Sequence, residues 1–348
     1  MYINYIVYYL NLQYAIVDVS LTSITRLSFI SSNSSFSECI RAHNPALSMY
    51  RNHIPSCTDN TFSTDNECTY SGRGLSYSTG TLSFKNDEFK SCSSDDHGGA
   101  IKCTGEDTEL NVIGCTFKEC YVNHPSSQYG GAIYADSIQY VTAKYCFFTS
   151  CSSNCGGGMF INSISNTPDF SDCVFVSCKA EHVAGGAFVG QCTKTSSSIA
   201  CNDCIFIKGN NISSSPDLRG GGIYFDIYSN DNANTISNVV FTGNSVNNRG
   251  GGLAIYQSNT DLHYSIYFCF FTDNFASNKG QDIYLQNIKV NSLFYCCTSS
   301  DALDRLYLNT SVTETVSSQN PTYTPNWLPQ TNIPDMLNNY EVNRVQME

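Results

Sequence analysis

Apolar residues along this chain come in short bursts and never at helical spacing. Leu10, Leu12, Tyr14 and Ile16 alternate with their neighbours, which is the period-two pattern of a strand. Later bursts, such as those around Phe148 and Phe160, are split by Gly, Ser and Asn. No stretch of roughly ten residues carries an amphipathic helical pattern. The pattern predicts short strands joined by turns over the whole chain.

The bursts repeat. Cys115-Thr-Phe117-Lys-Glu-Cys120 returns as Cys146-Phe-Phe148-Thr-Ser-Cys151, as Cys173-Val-Phe175-Val-Ser-Cys178 and as Cys204-Ile-Phe206-Ile-Lys-Gly209. Weaker copies are Val239-Val-Phe241-Thr-Gly-Asn244 and Cys269-Phe-Phe271-Thr-Asp-Asn274. Upstream, Phe89-Lys-Ser-Cys92 and Phe36-Ser-Glu-Cys39 fit, Phe62 marks a further copy, and Phe294-Tyr-Cys-Cys297 is read as a last one. A second motif runs in phase with the first: Gly98-Gly-Ala-Ile101, Gly130-Gly-Ala-Ile133, Gly156-Gly-Gly-Met159, Gly185-Gly-Ala-Phe188, Gly220-Gly-Gly-Ile223 and Gly250-Gly-Gly-Leu253. Gly280-Gln-Asp-Ile283 is a decayed copy. The steps between the final apolar residues are 32, 26, 29, 35, 30 and 30. A period near thirty that tolerates insertions marks a solenoid.

Helical repeats and leucine-rich repeats need patterns this chain lacks, so each unit is read as one coil of a parallel β-helix. Equivalent residues of successive coils then stack about 4.8 Å apart. The motif cysteine and the phenylalanine two places later point to the same side, inward. Phe stacked on Phe supplies most of the buried area. The residue ending the motif (Cys92, Cys120, Cys151, Cys178, Gly209, Asn244 or Asn274) sits at a turn that suits a small side chain or an amide ladder. The paired glycines allow a positive φ or a close backbone approach. About nine coils are expected, in a rod roughly 40 Å long.

Composition sharpens this picture. The chain has 348 residues, 41 % of them hydrophobic but only 14 % charged, so a core is available while helix-favouring charged residues are scarce. The net charge of −12 argues against nucleic acid and against docking on anionic lipid. No run of about 18 apolar residues marks a transmembrane helix. Eighteen cysteines are many, but no zinc-finger pairing is present, and Cys201-x2-Cys204 stands alone.

Phe241-Thr-Gly-Asn244, Phe271-Thr-Asp-Asn274 and the Gly-Gly-Ala-Ile tetrapeptides resemble the two signatures of the polymorphic outer-membrane protein repeat. That repeat occurs in bacterial autotransporter passenger domains and in cysteine-rich surface proteins of parasitic protists, whose versions tend to replace the Asn with Cys as the upstream copies do here. The resemblance covers about residues 80 to 300. It implies a right-handed, single-stranded parallel β-helix, a secreted or surface location, and a role in adhesion or host contact.

Three constellations could carry chemistry. Cys115, Cys146, Cys173 and Cys204 form one ladder, and Cys92, Cys120, Cys151 and Cys178 another. Neighbouring coils are close enough for disulfides, and reduced thiols acting as small hydrophobes would fill the same places. Asp96, His124, Cys155 and His182, each four residues past a motif end, offer metal-ligand chemistry if their loops superpose. Asp172 and Asp203 precede motif cysteines and should stack about 5 Å apart, the separation a retaining glycosidase uses. No Arg or Lys beside them in sequence would bind an anionic sugar, and a solvated outer row, continued by Asn238, explains them as well. Asn33, Asn211 and Asn309 head glycosylation sequons.

Residues 1–35 are read as an N-terminal strand or cap, 36–310 as the β-helix, and 311–348, with Trp327 and four prolines, as a C-terminal cap or flexible tail. The expected function is non-enzymatic: an adhesin-like rod that offers variable loops to a host or matrix glycan or protein, with no cofactor; the many tyrosines are read either as an exposed binding strip or as outward strand filler. The alternative is a polysaccharide lyase or glycoside hydrolase using Asp172 and Asp203.

Overall fold

The computed structural model describes the backbone of strands between Ile6 and Asn309 and, side chains included, most of residues 81–286. His124, Asn33, Trp327 and the whole of 311–348 lie outside the described residues.

Every described element is a strand, and every pairing is parallel. One coil shows the plan. The chain passes through Gly80–Lys85, Glu88–Lys90, Ser93–Ser94 and Ile101–Thr104, then returns as Thr108–Ile113 one level along. Each of these pieces pairs with its counterpart in the next coil, so four parallel sheets run along the rod. We call them the first to fourth sheets in the order the chain visits them. The fold is therefore an all-β parallel solenoid, as the repeat predicts.

Among the described residues the first and fourth sheets each contain eleven strands, two more than the nine coils expected. The difference arises upstream. Ile6–Leu10 pairs in register with Leu27–Ser32, so the winding extends beyond the point where the Phe and Gly-Gly signatures fade. Backbone hydrogen bonding needs no particular side chain, so coiling outlasts its sequence marks. Phe36 and Phe62 do fall in the phenylalanine column, in register with Phe89. Phe294 does not. It lies in the first sheet opposite Ile266, and the place following Phe271 in the phenylalanine column is taken by Ser299.

The interior is a stack of rings. Phe89, Phe117, Phe148, Phe175, Phe206, Phe241 and Phe271 lie face to face, with neighbouring centroids 4.5–5.2 Å apart and planes within 8° of parallel. The sheet repeat imposes this geometry: in-register side chains are one strand spacing apart. Leu82, Leu110 and Val141 from the first sheet and Ile101, Ile133 and Met159 from the fourth close the core around the rings.

Three corners of the coil turn on a left-handed residue. Between the third and fourth sheets it is the first glycine of the pair, as at Gly130 with φ +71°. The second glycine is required for a different reason. A Cβ on Gly131 would stand 2.0 Å from the carbonyl oxygen of Gly157 in the next coil. One coil departs from the motif as the sequence presents it. Ala184, with φ 58°, takes the corner place, so Ala187 and not Phe188 pairs with Met159 and Ile223. The steps into and out of that coil are thus 28 and 36, not 29 and 35.

Candidate functional site

Coil length varies at only two of the four corners. Two residues join the first sheet to the second in every coil from Gly80 to Thr272, and two join the second to the third. The third-to-fourth connection ranges from three residues (Cys155 to Met159) to eleven (Asn211 to Ile223). The fourth-to-first connection ranges from three (Asp136 to Tyr140) to nine (Gly190 to Ala200). Both variable corners border the fourth sheet. That sheet is the one face of the rod framed on both sides by differing segments.

The same face carries an outer layer of aromatic and basic side chains. In the fourth-sheet strands the residue after the inward ladder position faces out, which places Tyr134, Phe160, Tyr224 and Tyr284 in one column. The residue before each corner forms a second column. His97 bonds into the Tyr129 level, Tyr129 bridges to Cys155, and Val183, Arg219 and Arg249 continue the line. Members of the second column lie over the first, mostly one coil along. The His97 ring stacks on Tyr134 at 4.4 Å, and Tyr129 on Phe160 at 4.5 Å. The Arg219 guanidinium sits 4.9 Å from the centre of the Tyr256 ring, two places beyond the first column on its strand, and that of Arg249 sits 5.1 Å from Tyr284. Each arginine also donates through Nη1 to a tyrosine hydroxyl, Arg219 to Tyr224 and Arg249 to Tyr284, both at 3.1 Å.

Electrostatics follow from this layering. Burial lowers the pKa of His97 and outweighs the opposing pull of Asp96. Its Nδ1 accepts a 3.2 Å hydrogen bond from the Tyr129 backbone N–H, an arrangement open only to the neutral ring. Burial and the nearby Asp136 push the Tyr134 hydroxyl pKa upward. Burial opposes the charge on Arg219, but Tyr224, Tyr284 and Asp226 more than offset it.

The carboxylates singled out in the sequence lie elsewhere. Asp172 and Asp203 occupy the left-handed corner between the first and second sheets, both with φ 53°. Asn86, Gly114, Tyr145, Asn238 and Phe268 fill the same place in other coils. Asp, Asn and Gly are the residues that tolerate this backbone best, so the corner accounts for the row without catalysis. Burial, and then the neighbouring Asp203, raise the Asp172 pKa to about 6. Lys144 is near but pairs with Asp169, at 2.7 Å. This corner is two residues long in every described coil, so nothing inserted there walls a groove beside the carboxylates.

Nor does the structure gather the metal candidates. Cys155 is in register with Tyr129 and Val183, while His182 is exposed on the neighbouring strand and Asp96 pairs with Lys102 and His97. Register here is counted from the glycine corner, not from the phenylalanine motif. Among the described residues no group of three or more His, Cys, Asp or Glu side chains is placed to hold a metal ion. The backbones of Asn211 and Asn309 end strands Asn210–Asn211 and Leu306–Asn309.

Both cysteine ladders point inward, and no disulfide is recorded among the twelve described cysteines. All but Cys155 are buried. Burial drives the Cys120, Cys151 and Cys178 pKa values well up. Their Sγ atoms approach the Phe89, Phe117 and Phe148 carbonyls of the preceding coil at 3.4–3.6 Å. Asn244 and Asn274 make the corresponding bonds, donating to the Phe206 and Phe241 carbonyls at 2.9 and 3.0 Å. Thiol and amide thus do one job at one place. Val239 fills the other ladder between Cys204 and Cys269, a filler with no bonding role.

Sequence reasoning noted the tyrosines only in bulk and passed over Arg219 and Arg249. A signal was present: Arg219-Gly-Gly-Gly recurs as Arg249-Gly-Gly-Gly. Comparison with protein-family models, curated proteins and solved structures finds no match. Among the described residues no helix is long and apolar enough to cross a membrane.

Proposed function

We propose that this chain is a non-enzymatic interaction protein, secreted or held at a cell surface, that engages a glycan or protein of a host or matrix through its fourth-sheet face. One observation carries the reading. In the described coils from Gly80 onward all the variation in length borders this sheet, while the opposite corners keep a constant two-residue turn. A scaffold held constant on one side and varied around one face is the arrangement of a binding surface, because connecting segments can change without disturbing the core. The outer layer adds amphipathic contact groups there: Tyr129, Tyr256, Arg219 and Arg249 are all partly exposed. Aromatic and arginine side chains are the groups that dominate binding energy at interfaces. The likeness of Phe241–Asn244 and Phe271–Asn274 to the surface-protein repeat supports the location.

The test compares two faces of one protein. Purified protein is presented to arrays of glycans and extracellular-matrix proteins, alongside Tyr129→Ser/Tyr256→Ser and Tyr145→Ser/Phe268→Ser. Binding should fall sharply for the first pair and persist for the second, whose residues are exposed at the constant corner. Turnover of a polysaccharide that is lost in Asp172→Asn and Asp203→Asn would replace this reading with the hydrolytic one.

A further inference from the structure

The geometry points to Arg219 and Arg249 as an anion-binding pair that takes the carboxylate or sulfate groups of an acidic glycan lying along the rod axis. The inference rests on the fourth-sheet face being the binding surface and gives that surface its ligand class.

The two arginines are one coil apart and in register, joined by a parallel bridge, with Gly220 N–H donating to the Arg249 carbonyl at 3.1 Å. Like charges directly opposite each other on neighbouring strands repel. Yet this chain of net charge −12, with only 18 basic residues, stacks two of them here. Among the described residues neither forms an ion pair with a carboxylate, although Asp226 is near enough to Arg219 to favour its charge. Both are held by tyrosines: Arg219 donates through Nη1 to Tyr224 of its own coil and lies over Tyr256 of the next, while Arg249 makes both contacts with Tyr284 one coil along. Each Nε is buried without a protein acceptor. Tyrosine anchors on both arginines make them preorganised features rather than two wandering surface side chains. Among the described residues the Nη2 donors of both guanidinia carry no such bond, and guanidinium donors match the oxygens of a carboxylate or sulfate.

The ligand class follows from spacing and neighbours. The backbones of the two arginines lie one strand spacing, about 4.8 Å, apart along the axis, and two cations in series suit charges borne in series on a polymer. The partly exposed Tyr256 ring beside Arg219 offers an apolar face for a sugar ring to pack against. An acidic peptide would also carry carboxylates, and it serves as the competing arm of the test.

Binding of the full chain is measured by isothermal titration with an oligogalacturonate, a sulfated oligosaccharide, a neutral maltohexaose, and an Asp/Glu-rich peptide of equal charge. Acidic oligosaccharide should bind and the neutral one should not, with affinity falling as salt rises. Arg219→Ala and Arg249→Ala should each weaken binding about tenfold. The Arg219→Lys/Arg249→Lys double variant, which keeps charge and loses the fork, should weaken it several-fold. Lys90→Ala/Lys118→Ala, on the exposed outer face of the second sheet, should change nothing. Thermal melting shows that each variant is folded. The inference is overturned if folded wild-type protein ignores both acidic oligosaccharides, if the arginine variants bind them unchanged, or if the peptide binds better. Loss of a neutral glycan or protein ligand in Tyr129→Ser/Tyr256→Ser, with the arginine variants silent, would leave the binding face standing and remove the anionic ligand alone.

Discussion

Cys178 shows how one position can be filled by chemically different side chains. It sits where Asn244 and Asn274 sit, and its thiol approaches the Phe148 carbonyl as their amides approach those of Phe206 and Phe241. Cys178→Asn should therefore keep the fold within about 1 kcal/mol, and Cys178→Ala should cost about 1–2 kcal/mol through lost packing and a weakened contact. Cys178→Leu should cost more by overpacking. Urea midpoints rank the three. Two titrating groups give opposite pH dependences. Burial lowers His97, so below its ordinary value near 6.5 the unfolded chain binds more protons than the folded one. Its contribution is present above that pH and is lost as pH falls toward the lowered folded value, where the Tyr129 N–H bond must break. His97→Phe should keep the ring stack and flatten that slope. Asp172 is raised from 3.8 to about 6, so the folded chain binds more protons between those values. Its contribution is present below the lower value and lost as pH rises through the upper one. Asp172→Asn, which keeps a side chain suited to the corner, should stabilise the protein at pH 7.5 and not at pH 4, measured by thermal melts at both.

Among the strands, the coil around Ala187 is the imperfect one. Its fourth-sheet ladder holds alanine between Met159 and Ile223, because the left-handed corner falls on Ala184 and shifts the register by one residue. The small side chain leaves a cavity lined by Met159, Phe175, Ala187, Cys201, Phe206 and Ile223. An apolar void forfeits contacts on one side of every lining atom. Ala187→Val should fill part of it and raise stability by about 1 kcal/mol, whereas Phe148→Ala, at the centre of the ring stack, should cost about 3–5 kcal/mol. Chemical denaturation of the two variants checks both the sign and the contrast. A loss of stability in Ala187→Val would mean the neighbouring coils cannot accommodate even one isopropyl group.

Because each coil touches only its neighbours, the rod should behave as a sum of coils and interfaces. Removing residues 239–268 joins Asn238 to Cys269, two residues that stand at equivalent corners one coil apart. The shortened chain should fold with the same spectroscopic strand signature and a lower denaturation midpoint. Removing 239–267 instead shifts everything downstream by one residue and turns the inward face of each strand outward. That variant should aggregate. Circular dichroism and size-exclusion chromatography of the two deletions separate these outcomes, and a soluble, strand-rich product from the second would contradict the register argument.

The phenylalanine column, both cysteine ladders and the corner glycines were readable in the chain because each coil rewrites them in the same order. Inward positions recur at fixed offsets, since the pleat alternates every residue and the coils stack at one strand spacing. Register where the motif decays was not readable. Gly185-Gly186-Ala187 looks like its neighbours, and only the hydrogen-bonded pairing to Met159 and Ile223 reveals the shift. The binding face was hidden for a related reason. His97, Tyr129, Arg219 and Arg249 precede their glycines by one residue, but connections of three to eleven residues scatter them relative to the phenylalanine motif. Counting from that motif pairs Cys155 with His124 and His182, whereas the folded backbone pairs it with Tyr129 and Val183. Local periodicity thus specifies which side chains go inside. Which outer side chains meet depends on where each variable connection lets the chain rejoin the sheet, and that is set by hydrogen bonds between residues some thirty positions apart.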